Sequence, residues 1–405
     1  MKRFEIQPVL GSTLPEVASF LHRQRGEPTT GASFRSPSRL GIERRLRWLL
    51  LGNPVAREDA HHGFCVRDPS GTIRGLTLCF PGAFLAGEQR LFGLGSGSLF
   101  VEPQARTAGF YLFKKYLSSP GYSFFFSTTC NTNSAALFCQ LGGGPVPNSA
   151  PEYVLPIKLD TLLPALVAGK TMNGALPAIA RVFGRCANPI LRLFERQSAE
   201  LTIVPCKDWR KLSDLFLRYR SKDWITTDRS VEYLQWRYGQ NPDLYPSGVY
   251  LFQDKRGNEG WFSLGTMIRG SQGQIRGSVL LDAVWPREKM SFRDVFGGIL
   301  QIVAPHAHAL FFRPRPGLDY SECSPWIIPR RWASPSVFAI ARKGDPRFAA
   351  ASLDLAFADG DSALPISPVD GVRSDARVGS ELPTAIGFAS PVRANRLRRG
   401  SERRS

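Results

Sequence analysis

Between Leu99 and Gly143 the chain carries residue types and spacings that can hold a phosphate-rich anion. A strand-like run, Leu99-Phe100-Val101-Glu102-Pro103, leads into Gln104-Ala105-Arg106-Thr107-Ala108-Gly109 and then an amphipathic segment, Phe110 to Leu117. A helix opening straight out of a strand end leaves its first backbone N–H groups unpaired and points the positive end of its dipole at the turn. That is a ready site for a pyrophosphate. The amides from Arg106 to Tyr111 would make the cradle, with the Arg106 guanidinium adding charge beside it. The alternative for the same residues is a plain capping turn with an exposed arginine. A second apolar run, Tyr122 to Phe126, precedes a segment from Asn131 to Gly142 that reads as a helix with a glycine stop.

Other reactive side chains are weighed in the same way. Glu102, at the strand end beside the loop, is placed to act as a base through a water, and a solvated carboxylate is the plainer reading. Cys130 and Cys139 have no histidine near them in sequence, which disfavours a thiol nucleophile. His61-His62 and His306-Ala307-His308 lack carboxylates or thiolates at ligand spacing, so no metal site is expected. The seven cysteines are scattered through apolar runs without Cys-x-x-Cys spacing and read as buried, reduced thiols.

On these residues the stretch resembles the GNAT superfamily of acyl-CoA-dependent N-acyltransferases. The acceptor loop of that family reads Val-x-Pro-x-x-(Arg/Gln)-x-x-Gly-x-(Gly/Ala). Val101, Pro103, Arg106 and Gly109 stand in register, while Tyr111 takes the last small-residue position and Thr107 a usual glycine. The family's next helix, Asn-x-x-Ala-x-x-(Leu/Phe)-Tyr-x-x-x-Gly, is matched by Asn131, Ser134, Leu137, Phe138 and Gly142, with Phe138 replacing the tyrosine. The resemblance implies that acetyl-CoA or another acyl-CoA is the co-substrate and that an amine attacks its thioester carbonyl directly, with no metal. It assigns cofactor binding to Val101, Arg106, Thr107, Ala108, Gly109, Phe110, Tyr111, Asn131 and Ser134. Two departures matter: the Tyr111 ring has to point away from the cofactor, and Phe138 removes the hydroxyl that protonates the leaving thiolate in much of the family. Tyr116 and Tyr153 are the alternatives nearby in sequence.

The elements that must position this stretch follow from pattern. A strand over residues 3–10 precedes helices at Pro15–Arg25 and Ile42–Leu51. Three strands come next, Gly63–Val66, Ile73–Phe80 and Gln89–Val101, broken by the turn Asp68-Pro69-Ser70-Gly71. Tyr153–Ile157 offers a closing strand, and the whole order is also that of a GNAT domain. After residue 200 the landmarks recur. Leu234-Gln235-Trp236 and Asn241-Pro242 repeat Leu46-Arg47-Trp48 and Asn53-Pro54, and Asp254-Lys255-Arg256-Gly257 repeats the Asp-to-Gly turn. Three landmarks in one order argue for a tandem duplication, with Trp48 and Trp236 as core anchors. In the second copy the loop position reads Trp285-Pro286-Arg287-Glu288-Lys289-Met290-Ser291-Phe292, without Arg-x-x-Gly, so it is not expected to bind the cofactor.

The expected fold is therefore α+β: two tandem GNAT-like domains, each a mixed, mostly antiparallel sheet flanked by helices, plus a disordered C-terminal tail. Residues 1–160 form the acyl-CoA-binding domain, 161–199 a helical connector, 200–344 the degenerate second domain and 345–405 a disordered basic tail. In the connector, Arg181, Arg185, Arg192 and Arg196 lie among Ile179, Val182, Phe183, Leu191 and Phe194. Packing on both domains with the arginines in water is favoured over a helix lying on a membrane surface.

The 405 residues are 43% hydrophobic and 21% charged, ordinary for a globular protein, and no run of about 18 apolar residues spans a membrane. The N-terminus has no apolar signal region, so a cytoplasmic protein is expected. A formal charge of +18 exceeds what one small cofactor calls for, and an anionic partner (nucleic acid or a membrane surface) suits the terminal arginines Arg393 to Arg404. The expected activity is transfer of an acyl group, acetyl in the first instance, to an amine of a small-molecule or cell-envelope precursor. The alternatives are a Fem-like aminoacyl transferase drawing on aminoacyl-tRNA and a non-catalytic GNAT-fold binding module.

Overall fold

Two sheets form, one for each half of the sequence pattern. The computed structural model describes residues 4–359 apart from 25–37, 58–60, 147–151, 169–174, 196–200, 241–246, 270–274, 331–336, 344–347, 349–352 and scattered single or paired positions between 314 and 360. The first half runs β1 (Glu5–Pro8), α1 (Leu14–Gln24), α2 (Arg39–Leu46), β2 (Gly63–Arg67), β3 (Ile73–Ala86), β4 (Gln89–Val101), α3 (Arg106–Leu117), β5 (Phe124–Ser127), α4 (Thr132–Gln140) and β6 (Gly144–Pro145). Then come β7 (Glu152–Pro156) and a helical hairpin, α5 (Leu159–Ala168) and α6 (Ala175–Glu195). The second half repeats the order with β8 (Thr202–Pro205), α7 (Trp209–Tyr219), β9 (Ile225–Thr227), α8 (Val231–Leu234), β10 (Ser247–Gln253), β11 (Glu259–Arg269) and β12 (Ile275–Val284). It continues through α9 (Phe292–Val303), β13 (Ala309–Phe312), β14 (Ile328–Arg330), β15 (Phe338–Ala341) and β16 (Leu353–Asp354).

The sheets exchange strands. The first is ordered β1-β2-β3-β4-β5-β15-β6, and the second β14-β7-β13-β12-β11-β10-β8. β15, from the end of the second half, lies antiparallel to β5, with Phe338 opposite Ser127. In return β7 lies antiparallel to β13, with Tyr153 opposite Phe312. The strand expected at Tyr153–Ile157 thus forms but completes the other sheet. Both β7 and β15 are short apolar strands that fit the same slot, and nothing local in either sequence names its sheet.

Repetition extends to detail. Asp68 Oδ1 accepts from the amides of Ser70 and Thr72, and Asp254 Oδ1 from those of Arg256 and Asn258. The glycines closing these turns, Gly71 and Gly257, have φ of 80° and 83°, which favours glycine. Trp48 and Trp236 meet between the halves, each in a wide turn following a helix. Trp48 Nε1 donates to the Trp236 carbonyl at 3.2 Å and Trp236 Nε1 to the Trp48 carbonyl at 3.1 Å. This reciprocal pair marks a pseudo-twofold axis, and both rings are buried in a core shared by the halves. Asn53 caps its turn, donating to the Pro81 carbonyl at 2.9 Å, while Asn241-Pro242 lies outside the described residues.

The segment after 345 departs from the expected tail. Phe348 stacks on Phe124 at 4.3 Å between centroids, and Leu353, Leu355, Ala356 and Ala358 are buried. β16 pairs with β9, which itself pairs with β3. Low overall periodicity hid a short apolar run that fills a seam between the halves. The arginines from 393 onward lie outside the described residues.

Candidate functional site

The site stretch is built around a fork. β4 and β5 pair in parallel only from Gly93 opposite Phe124 to Gly95 opposite Phe126, and beyond that no pairing joins them among the described residues. The cause lies in β4. Ser98 and Leu99 together stand opposite Thr77 alone, a bulge in which Ser98 takes φ 53°. A bulge bends its strand and breaks pairing locally, so β4 turns away from β5, and over residues 96–101 it stays paired to β3 while no pairing to β5 joins it among the described residues. At the apex of the fork sits Tyr116 from α3, fully buried. Its hydroxyl donates to the Leu94 carbonyl at 2.6 Å and lies 3.0 Å from the Phe126 carbonyl, one on each prong. Burial pushes this phenol well above its ordinary pKa. It holds the apex as a donor.

α3 starts where β4 ends. A single tight turn, Pro103–Ala105, carries the chain into it, and the start of α3 has no side-chain cap and no acidic residue in the first turn. Arg106 and Thr107 are exposed there, whereas Ala105, Ala108 and Gly109 are buried against the sheet. A Cβ on Gly109 would stand 3.2 Å from Val101 Cγ2, so the glycine sets how closely α3 rides on β4. The sequence-predicted cradle residues are therefore together, at the mouth of the fork. Tyr111 points elsewhere: it is 61% exposed and lines an outer groove with Phe4, Ile6, Arg67 and Lys115. The ring leaves the fork unobstructed.

Other predicted residues have structural employment. Asn131 caps α4, its Oδ1 accepting from the amides of Asn133 and Ser134, while Ser134 Oγ accepts from the Asn131 amide. Glu102 Oε1 accepts from Gln24 Nε2 at 3.1 Å, and Oε2 pairs with Arg74 at 3.1 Å and accepts from Gln104 Nε2. It ties α1, β3 and the loop together at the end of β4. Phe138 is a core residue between Phe113 and Phe338. Tyr153, carried into the other sheet by β7, packs on Phe312 and Tyr320 and is removed from the fork. Among the described residues no three His, Cys, Asp or Glu side chains converge as metal ligands.

In the second half the same device is filled in. β12 and β13 pair from Gly277 opposite Ala309 to Val279 opposite Phe311, and a register shift opposite Ser263/Leu264 again bends the strand. Into this second fork reaches Arg315, whose Nη1 donates to the Ala283 carbonyl at 2.9 Å and pairs with Asp282. Arg229 pairs with Asp282 and Asp359, and Arg315 with Asp354, all with side chains 15% exposed or less. The Arg229 guanidinium holds the Asp359 carboxyl below the usual aspartate range. The helix that would receive the phosphates, α9, is closed by a capping box of Ser291 and Asp294, which places a carboxylate at its start. An anion is repelled there. Sequence reasoning missed this network, because its partners lie up to 130 residues apart.

Between the halves a small cavity of about 40 Å³ adjoins the first fork on the side of α2. Asn53, Phe80, Phe84, Phe126, Trp236 and Arg237 are among its lining residues.

A parallel-paired fork opened by a bulge, with a helix starting at its mouth, is the GNAT fold, and here it occurs twice in tandem. Solved structures with this fold are similar along most of the chain. A GCN5-related N-acetyltransferase from Anabaena variabilis matches at TM-score 0.52 and 12% identity, covering 84% of this chain and 73% of that one. A probable N-acyltransferase from Enterococcus faecalis matches at 0.52 and 11%, covering 84% and 72%. The N-myristoyltransferase of Saccharomyces cerevisiae, solved with bound myristoyl-CoA, matches at 0.51 and 11%, covering 77% and 72%. No family model matches the sequence, and no curated protein is similar to it in sequence.

Proposed function

We propose that the chain transfers an acyl group, acetyl in the first instance, from acyl-CoA to the amine of a small-molecule or cell-envelope acceptor. The carrying observation is the open fork of the first copy beside the uncapped, acid-free start of α3. In this reading the pyrophosphate rests at the N-terminal end of α3, on the first-turn amides around Thr107 and Ala108, with the Arg106 side chain and the Thr107 hydroxyl beside it. The pantetheine runs between the prongs, bonding main chain of residues 96–101 near Val101 on the side not paired to β3, while Asn131 and Ser134 frame the far side. The thioester carbonyl, beside the apex that Tyr116 holds, receives main-chain N–H donation that stabilises the oxyanion as the amine attacks; collapse of the adduct breaks the C–S bond and expels the CoA thiolate, which takes its proton from water. The amine-bearing acceptor is taken from the side of the second copy, which serves as a wall. Glu102, through a water, takes the amine proton. The domain division is read as 1–160, a connector over 161–199 and 200–344, with β7 passing to the second sheet and β9, β15 and β16 to the first.

Similar structures described as N-acetyl- and N-acyltransferases, one of them holding myristoyl-CoA, support acyl-CoA as the co-substrate. Isothermal titration with acetyl-CoA tests the reading. One-site binding that weakens in Arg106→Ala is expected, and absence of heat at millimolar ligand refutes it.

A further inference from the structure

The connector helix does not behave as its sequence alone suggests. α6 meets the rest of the protein along one strip. A Cβ on Gly184 would stand 2.4 Å from the Asp160 backbone nitrogen, so α6 touches α5 there. Asn188 Oδ1 accepts from the Leu159 amide at 2.8 Å, and its Nδ2 donates to Asp160 at 2.9 Å. At 100° per residue, Leu176, Ile179, Val182, Phe183 and Cys186 fall on the opposite side. Ile179, Val182 and Phe183 are 63%, 62% and 66% exposed, and Leu176 is 41% exposed. The expectation that the connector's apolar residues pack on both domains is thus corrected for Ile179, Val182 and Phe183, which face outward, while the side chains of Leu191 and Phe194 lie outside the described residues.

We infer that α6 docks the protein on an anionic lipid surface, with this strip among the headgroups and Arg181 and Arg185 level with the phosphates. Three observations select that occupant. First, the helix carries arginines at 181, 185 and 192 and no acidic residue before Glu195, so it complements a negative surface. Second, Arg181 and Arg185 are exposed and lie on the helix between the strip that meets α5 and the outward apolar strip. Long basic side chains in that place can reach phosphates while their stems lie on the apolar boundary. Third, the described residues of the strip expose on the order of 450 Å² of apolar side chain beside Arg181 and Arg185, and in a self-paired interface those arginines would meet their own copies, so a second copy of the chain is a poor occupant. No helix among the described residues is long and apolar enough to cross a membrane, and α6 would lie along the surface.

The test is co-sedimentation of the full chain with phosphatidylcholine vesicles, with and without phosphatidylglycerol. Pelleting is expected with the anionic vesicles, weakening as salt rises. Ile179→Asn with Phe183→Asn should lower vesicle affinity by roughly tenfold or more while leaving the charge unchanged. Unchanged binding in that variant would assign the attraction to basic segments elsewhere and overturn the inference, as would equal pelleting with neutral vesicles or none at all. A wild-type dimer in analytical ultracentrifugation that the variant dissociates would also overturn it. Should the variant misfold, tryptic cleavage after Arg181 and Arg185 in the wild type decides: vesicles must slow it, and an unaltered rate refutes docking.

Discussion

The position of α3 on β4 rests on Gly109, and substituting that residue separates packing from phosphate recognition. In Gly109→Ala the new methyl meets only Val101 Cγ2 at 3.2 Å, tight by a few tenths of an ångström. Val101 is half-buried at a strand end and can yield. Against that strain stands the better helix propensity of alanine, about 0.8–1 kcal/mol in a helix interior. The two effects nearly cancel, so urea denaturation should place the variant within about 1 kcal/mol of wild type. Gly109→Val adds two further carbons pressed between helix and strand. Overpacking of this kind costs about 1–3 kcal/mol and is relieved by moving α3 outward. If that movement costs the bound pyrophosphate about one charge-assisted hydrogen bond, worth about 1.5–3 kcal/mol, the affinity for acetyl-CoA in calorimetry should fall by at least about tenfold. Alanine should leave it unchanged. A valine variant that folds and binds acetyl-CoA as tightly as wild type would remove the pyrophosphate from the start of α3.

Further outcomes follow from other parts of the structure. Tyr116→Phe removes the buried donor at the fork apex and should lower stability by about 1–3 kcal/mol in urea melts. Trp48→Phe and Trp236→Phe should be non-additive, with a coupling of about 0.5–3 kcal/mol in a double-mutant cycle, because each indole bonds the other's carbonyl. Arg229→Met leaves Asp282 and Asp359 buried without their shared cation, at a cost of about 3–5 kcal/mol. That variant also tests a sign. The native Asp359 carboxyl is held low, so its contribution is present above the ordinary aspartate value of about 3.9 and lost as the pH falls through its lower folded value. The native Asp282 carboxyl is by contrast pushed up by burial, and without Arg229 both carboxyls favour their protonated forms, so the variant's stability should rise more steeply than the wild type's on acidification between about pH 7 and pH 4. Glu102→Gln should slow turnover with little change in acetyl-CoA affinity if the carboxylate takes the amine proton, and an unchanged kcat refutes that role.

The strand end and the helix start that follows it were legible because their signal is local: Val101, Arg106 and Gly109 sit within nine positions, and a helix start needs no distant partner. Duplication was legible for a related reason, since Trp48 and Trp236, and the turns at Asp68 and Asp254, each obey short-range rules repeated in one order. Long-range choices were not. The strand expected at Tyr153–Ile157 forms over Glu152–Pro156, but its sheet is decided by a vacancy beside β13 that no local residue encodes. The buried ion network joins Arg229, Asp282, Arg315, Asp354 and Asp359, charges that look solvated when met singly. The connector's apolar residues gave the right helix and the wrong environment, because amphipathicity does not say whether the apolar side meets protein or something else.

The traded strands interlock the halves in time as well as in space. β5 waits for β15, more than 200 residues downstream, so the first sheet cannot close while the ribosome still holds the later part of the chain. Such distant pairing predicts slow folding and an edge left bare during synthesis. It also means that cutting the chain in the connector yields two incomplete halves, each lacking the ribbon that the other carries. The arrangement is that of two strand-exchanging halves held in one polypeptide, the first with an open fork and the second with its fork filled by salt bridges.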